Sequence, residues 1–332
     1  MFKRKIYEKM LEWKQESDGH TALLIEGPRR VGKSTIAETF AKNEYERYIL
    51  IDFSIASKTV RELFEDLSNL DYIFLQLQLQ YKVDLIERKS LIIFDEVQRC
   101  PQARQAIKHL VQDHRYDYIE TGSLISIRKN VKDIVIPSEE RKLSMYPMDY
   151  EEFLWALGDT TTYPLIRKFY DKKIPLGQQM NRKQMRDFRL YMLIGGMPQA
   201  VAEFIRTNNF RMVDAVKRDI LHLYEDDFMK IDSSGRASTL FDAIPSQLNT
   251  NASRYQLGNV LGQSSRPEDV LNLIAEMKDS RTVLVSYHAN DPNVGMSANK
   301  DLSRFKMFVC DTGLFTTLMF KDKDFTENEI YE

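Results

Sequence analysis

The sequence predicts an α/β fold in which a five-stranded, doubly wound parallel sheet is followed by helical modules. Three observations support this prediction. An apolar strand runs directly into a glycine-rich loop and a helix over residues 23–41. A second strand, at 91–94, is apolar throughout and is followed by two carboxylates. Further apolar segments alternate with helical patterns, which is the arrangement that builds parallel sheets through right-handed crossovers.

The glycine-rich loop fits the phosphate-binding (P-loop) pattern G-x-x-x-x-G-K-[ST] at every fixed position. The glycines let the backbone curl so that its N–H groups face phosphate oxygens, and the following helix N-terminus adds partial positive charge. Lys33 is predicted to contact the β- and γ-phosphates as a catalytic residue, and Ser34 to bind Mg²⁺. The alternative is a tight strand-to-helix turn with a solvated lysine. The predicted nucleotide-binding residues are Gly27, Pro28, Arg29, Arg30, Val31, Gly32, Lys33, Ser34 and Thr35.

The strand at 91–94 is followed by Asp95 and Glu96. Ligands of open α/β sheets bind at the carboxyl ends of the strands, so both carboxylates are expected beside the loop. Asp95 suits the Walker B role of holding Mg²⁺ together with Ser34. Glu96 suits a general base that polarises an attacking water, which favours hydrolysis over a kinase reaction, because a kinase substrate brings its own hydroxyl. The alternative for Glu96 is a helix cap.

The other elements of the first half complete the sheet. The pattern of residues 3–16 predicts a helix. We expect this helix to pack against the next domain; the alternative is that it lies over the nucleotide base. The strand at 117–120 leads to Ser123, which we predict as a catalytic sensor of the γ-phosphate, a plain helix cap being the alternative. Further strands are expected at 48–53 and 142–146, and further helices at 58–70, 71–88 and 101–114.

Composition narrows the class of protein. The chain has 332 residues, 43% of them hydrophobic, and a net charge of -2, as expected for two ordinary globular domains without a global basic field. Cys100 and Cys310 form neither a disulfide framework nor a zinc spacing, which is typical of a reducing compartment. We find no secretory leader and no run of 18 apolar residues. These features predict a cytoplasmic protein without a membrane association.

The second half of the chain is predicted to form a small helical lid and then a winged helix. Lid helices are expected at 153–170, 190–204 and 213–229. Helical patterns at 237–248, 254–261 and 267–277 precede strands at 282–287 and 305–309 that flank a turn-rich segment. The third helix of such a module often enters the DNA major groove. Here it carries Glu268, Asp269 and Glu276, which would repel a duplex, so a structural or protein-docking role is favoured.

A local excess of positive charge lies between residues 167 and 189. It could follow a phosphate backbone, although a solvated helix face is the more ordinary interpretation. The basic residues are Arg167, Lys168, Lys172, Lys173, Arg182, Lys183, Arg186 and Arg189, against Asp171 and Asp187.

Together these motifs resemble the bacterial and archaeal AAA-type ATPases that carry a carboxy-terminal domain of unknown function. The resemblance runs from residue 23 to about residue 318 and implies ATP or ADP with Mg²⁺ as ligands. It rests on GPRRVGKS, LIIFDEVQRCP, ETGS, RKLSMYPMDYEEFL, Tyr191, the GGMPQAV stretch at 195–201 and the FVCDTGL stretch at 308–314.

Two features depart from that family. Its members usually have Gly-Arg before the fifth strand, whereas here Arg141 follows Glu140. The resemblance implies a catalytic role for Arg141 as an arginine finger or sensor, with Arg128 as the fallback. Family members usually continue into a restriction-endonuclease-like domain. The chain stops at Glu332, where that domain would begin, so we expect a truncated or naturally shortened member and no nuclease.

Three functions stay open at this stage. The first is an Mg²⁺-dependent ATPase that couples hydrolysis to domain movement, and the second is a nucleotide-operated switch or scaffold with little turnover, as a homo-oligomer or with a protein partner. The third is a DNA-associated motor or defence component. ATP is expected rather than GTP because the guanine motif Asn-Lys-x-Asp is missing. The predicted domains are an N-terminal helix (1–20), an AAA-type P-loop core (21–155), a helical lid (156–232), a winged-helix-like domain (233–320) and a tail (321–332).

Overall fold

The computed structural model describes residues 1–122, 139–250, 252–262, 267–291, 295–296 and 299–321. The chain divides into two compact units. The first comprises Lys3–Met145, and the second begins at Tyr146. Among the described residues, no helix combines the length and the apolar character that crossing a membrane requires.

The first unit is a parallel sheet with helices on both faces. Its strands follow the order β2-β3-β4-β1-β5, and every neighbouring pair is parallel. The α/β fold class and the five-stranded parallel sheet predicted from the sequence are therefore confirmed. The elements are α1 Ile6–Ser17, β1 Ala22–Glu26, α2 Lys33–Glu44, β2 Arg47–Asp52, α3 Lys58–Glu62, α4 Leu70–Tyr81, β3 Ser90–Asp95, α5 Pro101–Asp113, β4 Asp117–Gly122 and β5 Glu140–Ser144.

Burial on both faces explains why the central strands are apolar runs. Every residue of β1, β3 and β4 is buried, as expected when helices cover a parallel sheet on both sides. One core joins β1 and β3 to α1 and α2 through residues such as Trp13 and Phe40. A second core joins β2 and β3 to α4 and α5 through residues such as Phe74, Phe94 and Ile107.

The order of the strands decides which residues meet. β4 lies between β1 and β3, so the strand that ends at Asp95 does not pair with the strand that enters the glycine-rich loop. The register pairs Glu26 with Gly122 and Phe94 with Glu120. The carboxyl ends of β1, β4 and β3 therefore lie side by side along one edge of the sheet.

The second unit is mainly helical, with one two-stranded antiparallel sheet. A single apolar core, with Phe153, Tyr224, Phe241, Phe305 and Leu314 among its buried members, joins its elements. These are α6 Tyr150–Ala156, α7 Thr162–Asp171, α8 Gln178–Ile194, α9 Pro198–Thr207, α10 Phe210–Ile231, α11 Arg236–Asp242, α12 Ile244–Asn249, α13 Leu257–Leu261, α14 Pro267–Asp279, β6 Val283–Ala289, β7 Lys300–Val309 and α15 Thr312–Met319.

Two of the predicted lid helices are broken in the structure. The helix expected over 153–170 is divided into α6 and α7 at Gly158, whose φ is 86°. The helix expected over 190–204 ends at Ile194, because Gly195 takes a φ of 82° and Pro198 starts a new helix. The single-helix predictions were therefore wrong. They arose because the apolar periodicity continues on both sides of each break. The helices expected over 58–70 and 71–88 are also shorter than predicted, as α3 and α4.

Candidate nucleotide-binding site

The loop between β1 and α2 is shaped to present backbone amides. A Cβ atom on Gly27 would lie 2.2 Å from the carbonyl oxygen of Met145, so no side chain fits there. Gly32 caps α2 with a φ of 100°, and Arg30 has a φ of 64°. This path brings the chain sharply round into the N-terminus of α2, where unpaired amides and the helix dipole favour an anion.

The side chain of Lys33 folds back over the loop. Its Nζ donates hydrogen bonds to the carbonyl oxygens of Gly27 and Pro28, each at 2.9 Å. The lysine is largely buried, at 7% exposure. Its charge is therefore held within the curl of the loop, where the pattern places phosphate oxygens. Of the other predicted loop residues, Val31 is buried, Arg29 is half-buried, and Arg30 and Thr35 are exposed.

Asp95 joins the loop to the sheet. Its Oδ1 accepts a hydrogen bond of 2.7 Å from the Oγ of Ser34 and a second one from the Oγ1 of Thr121. Carboxylate and hydroxyl oxygens are the ligands that Mg²⁺ prefers in proteins. Ser34 and Asp95, which were predicted to bind magnesium, therefore lie together and fit that ion chemically.

Thr121 belongs to the hydroxyl-bearing strand end 121–123 that the sequence places at this edge, but the sensor role was predicted for Ser123 and not for Thr121. Ser123, which was named as the sensor instead, lies outside the described residues, as does Arg128. The alternation of side chains along a strand could have indicated the orientation of Thr121. It follows the buried Ile119 by two positions and therefore shares its face of β4. The position of β4 between β1 and β3, which brings Thr121 to Asp95, could not be predicted from the sequence pattern.

Glu96 follows Asp95 in a strained backbone conformation. Its φ of 53° and ψ of 43° are left-handed, which is uncommon for a residue with a side chain. One oxygen of its carboxylate accepts a hydrogen bond of 2.6 Å from the side-chain amide (Nε2) of Gln98. Its backbone carbonyl accepts one of 2.9 Å from the backbone N–H of Arg99. Strain of this kind is concentrated at functional sites. The tight turn fixes this second carboxylate next to Asp95.

Arg141 does not reach the loop. It lies in β5 opposite Leu23, roughly 13 Å along the strand from Gly27 at about 3.3 Å per residue. Its Nη1 pairs with Glu16 of α1 at 2.5 Å. The expectation that Arg141 approaches phosphate within its own site is therefore not met, because the strand register places it toward the other end of β5.

The glycine and aspartate motifs of the second half form a buried junction. Asp311 accepts hydrogen bonds from the N–H groups of Gly196 (2.6 Å) and Leu314 (2.9 Å), and a Cβ on Gly195 would lie 2.2 Å from its Oδ1. Lys217 donates to the carbonyl oxygens of Leu193 (2.9 Å) and Gly313 (3.3 Å). We call these residues, Gly195, Gly196, Lys217, Asp311 and Gly313, the Asp311 junction.

Burial dominates the electrostatics of the Asp311 junction. It raises the pKa of the Asp311 carboxyl and lowers the pKa of the Lys217 ammonium to about 8. The hydrogen bonds given above all join these side chains to backbone atoms of the same unit. The junction therefore connects α8, α9, α10 and α15 as a structural element.

Comparison with known families agrees with this geometry. Residues 19–154 match the model of an AAA domain. Residues 19–154 therefore form an AAA-type P-loop ATPase domain. Residues 185–324 match a second family, described as a domain of unknown function (DUF8612). No curated protein sequence matches the chain significantly.

Comparison with a solved structure supports the same fold. The Walker-type ATPase PABY2304 of Pyrococcus abyssi is similar over 96% of each chain, with 17% identity and a TM-score of 0.57. The Orc1 protein of Aeropyrum pernix in complex with DNA aligns over 97% of this chain and 93% of its own, with 12% identity and a TM-score of 0.33. The RuvB Holliday junction branch migration motor of Thermotoga maritima aligns over 85% and 89%, with 12% identity and a TM-score of 0.37. The last two likenesses are too distant to inform this chain.

Proposed function

We propose that this AAA-type ATPase binds ATP together with Mg²⁺, hydrolyses it, and couples its nucleotide state to a rearrangement of its domains. The observation that supports the proposal best is the 2.7 Å hydrogen bond between Ser34 and Asp95. It joins the phosphate-binding loop to the strand that carries both carboxylates. A tight turn with a solvated lysine would not need this contact, and Lys33 is not solvated.

The residues of the site divide the work by their chemistry. The amides of the loop and the ammonium of Lys33 hold the β- and γ-phosphates. Mg²⁺ held by Ser34 and Asp95 would neutralise negative charge on these phosphates. Glu96 accepts the proton of the attacking water, and Thr121 keeps the carboxylate of Asp95 oriented. Catalysis is then mainly positioning and electrostatic stabilisation.

Steady-state ATP hydrolysis with Mg²⁺ tests the proposal, beside equilibrium binding of a fluorescent ATP analogue. We expect Glu96→Gln to lose turnover while it keeps nucleotide affinity, because the amide preserves the shape but cannot accept a proton. Lys33→Ala should lose both. Tight binding with negligible turnover in the wild type would overturn the hydrolysis proposal and leave a nucleotide-operated switch.

The remaining features of the proposal concern organisation. We propose the domain bounds 21–155, 156–232 and 233–320, a cytoplasmic location, and a protein partner or second copy of the chain as the reader of the nucleotide state. The helices α11 to α14 precede the antiparallel pair β6 and β7, which supports a winged helix over 233–320, with the helix predicted at 237–248 divided into α11 and α12. Glu268 and Asp269 in the first turn of α14 favour protein docking over DNA reading.

A second candidate function, association with DNA, is favoured by the exposure of α7 and α8. No residue of α7 is buried, and the side chains of Arg167 and Arg186 are 68% and 74% exposed. Arg167 pairs with Asp171 at 3.9 Å and Arg186 with Asp187 at 3.5 Å, so a phosphate backbone would have to compete with these surface ion pairs, which are weak. Binding of a DNA duplex at two salt concentrations tests this, with Arg182→Glu/Arg186→Glu as the variant. Binding that is weak at all salt concentrations, or unchanged in the variant, would exclude it.

A further inference from the structure

A buried arginine outside the loop motif holds the backbone of the loop. Arg4 precedes α1 and is 6% exposed. Its Nη1 donates a hydrogen bond of 3.1 Å to the carbonyl oxygen of Val31, which itself is fully buried. The hydrogen-bond ladder of α2 begins one residue later, with the bond from the N–H of Ile36 to the carbonyl of Gly32. Arg4 is thus the partner of a loop carbonyl that the helix does not use.

This contact orients an amide of the loop. The carbonyl of Val31 and the N–H of Gly32 belong to the same trans peptide group, so they point in opposite directions. When the carbonyl is held toward Arg4, the N–H of Gly32 faces away from Arg4. In a phosphate-binding loop, the amides that precede the helix are the donors to phosphate.

Gly32 needs such an external anchor. With a φ of 100° and no side chain, it has wide conformational freedom in the unordered loop. The conformational entropy lost when Gly32 is fixed therefore opposes ordering of the loop. The lysine of the motif holds the carbonyls of Gly27 and Pro28 at the start of the loop. Arg4 holds the carbonyl of Val31 near its end. Two buried cations therefore fix the loop at both ends.

We infer that Arg4 is a positioning residue of the nucleotide site, which preorganises the Val31–Gly32 peptide for phosphate. The inference rests on the proposed function and extends that site to the segment before α1. Its guanidinium also adds positive charge beside the phosphate-binding amides. Preorganisation of this kind raises ligand affinity because the ordering cost is met before the ligand binds.

Equilibrium binding of the fluorescent ATP analogue in the presence of Mg²⁺ tests the inference. Arg4→Ala should bind about tenfold more weakly, as expected when a charged hydrogen bond that orders a site is removed. Arg4→Lys should recover part of the loss, because it keeps a charged donor but not the guanidinium geometry.

Arg88→Ala is the matched control. Arg88 also donates to a loop carbonyl, that of His114 at 3.3 Å, and it pairs with Asp117 at 2.9 Å. Asp117 begins β4, so this contact lies at the opposite edge of the sheet. Arg88→Ala should lower the free energy of unfolding without changing nucleotide affinity. A purely structural Arg4 would behave in the same way.

Amide hydrogen exchange without nucleotide supplies a readout independent of binding. Arg4→Ala should accelerate exchange at the N–H of Ile36, which bonds to the carbonyl of Gly32, and leave the later turns of α2 protected. If Arg4→Ala does not fold, Arg4→Gln replaces it, and about threefold weaker binding or more supports the inference. If the folded variant has the same nucleotide affinity and the same exchange rates as the wild type, the role of Arg4 is overturned. The proposed function still stands in that case, because the wild type binds nucleotide. Absence of binding by the wild type would overturn both.

Discussion

The edge of the sheet in the first unit and the Asp311 junction in the second contain the same residue types, but these residues have different bonding partners. Each combines glycines in tight positions with a buried lysine and a buried aspartate. At the sheet edge, Asp95 bonds to the hydroxyls of Ser34 and Thr121. In the junction, Asp311 bonds to the backbone amides of Gly196 and Leu314.

That difference in partners separates the proposed binding site from the structural junction. A hydroxyl can rotate to share its oxygen with a metal ion or a phosphate, whereas a backbone amide is committed by the fold. Motifs such as Gly-Gly-x-Pro and Asp-Thr-Gly-Leu can therefore identify a family without marking a ligand. The variants below test whether the two clusters differ as this comparison requires.

Asp95→Asn should have the largest effect. We expect Mg²⁺-dependent hydrolysis to fall by about 10² to 10³, as is typical when one group that stabilises developing charge is lost. The free energy of unfolding should change by less than about 1 kcal/mol, because Asn keeps one oxygen for Ser34 and Thr121. A stability loss as large as that of a junction variant would show that Asp95 is structural and would break the comparison.

Gly195→Ala and Gly262→Ala form a matched pair with nearly equal backbone angles, φ of 82° and 72° and ψ of -172° and -179°. A Cβ on Gly195 would lie 2.2 Å from Asp311 Oδ1, whereas a Cβ on Gly262 would meet nothing within 4 Å. We expect Gly262→Ala to cost about 2 kcal/mol of unfolding free energy from backbone strain alone. Gly195→Ala should cost about 4 kcal/mol, since the close contact is added. Equal costs in denaturant titration would mean that the junction is loosely packed.

Asp311→Asn should lower the free energy of unfolding by about 2 kcal/mol, because one buried N–H loses its charged acceptor. The nucleotide affinity of the folded protein should not change. Asp301→Asn is the control, since Asp301 bonds to Ser303 at a solvent-exposed site, and it should change stability by less than about 0.5 kcal/mol. Loss of nucleotide affinity in Asp311→Asn would contradict a purely structural junction.

The last test concerns a buried charge cluster in the first unit. Arg104 pairs with Glu120 at 2.9 Å and with Glu140 at 2.8 Å, and Glu140 also lies 3.5 Å from Lys142. Burial raises the pKa of Glu120 to about 8, with Arg104 opposing and Glu140 reinforcing the shift. The folded state therefore binds a proton that the unfolded state releases near pH 4, so stability should fall as pH rises from about 5 to 8.

Glu120→Gln mimics the protonated carboxyl and should flatten this pH dependence across the window. Denaturant titrations of the variant and the wild type at several pH values measure it. Glu62→Gln, at an exposed ion pair with Lys58, serves as the control. A slope that Glu120→Gln leaves unchanged would assign the pH dependence to other groups.

The parts of the site that depend on short runs of sequence were predictable. Gly27 to Ser34 and the pair Asp95 and Glu96 each follow one strand, and the structure places them together at the sheet edge. Residues that depend on strand order or register were not. Thr121 meets Asp95 because β4 lies between its neighbours, and Arg141 misses the loop because its register places it opposite Leu23.

The fold shows the same division. Five strands and most helices follow from local apolar periodicity, which the cores on the two faces of the sheet explain. The breaks at Gly158 and Gly195 interrupt helices whose periodicity continues on both sides, so the pattern alone joined them. Arg4 contacts a residue 27 positions away, and no local pattern relates the two.

The left-handed backbone of Glu96 has a consequence for engineering. A glycine at this position would relieve strain of about 1 to 2 kcal/mol and would remove the carboxylate proposed as the general base. A design method that scores only thermal robustness would favour that replacement and yield a sturdier but catalytically silent protein. Position 96 should therefore be held constant in any such redesign, however poorly its side chain suits the local conformation.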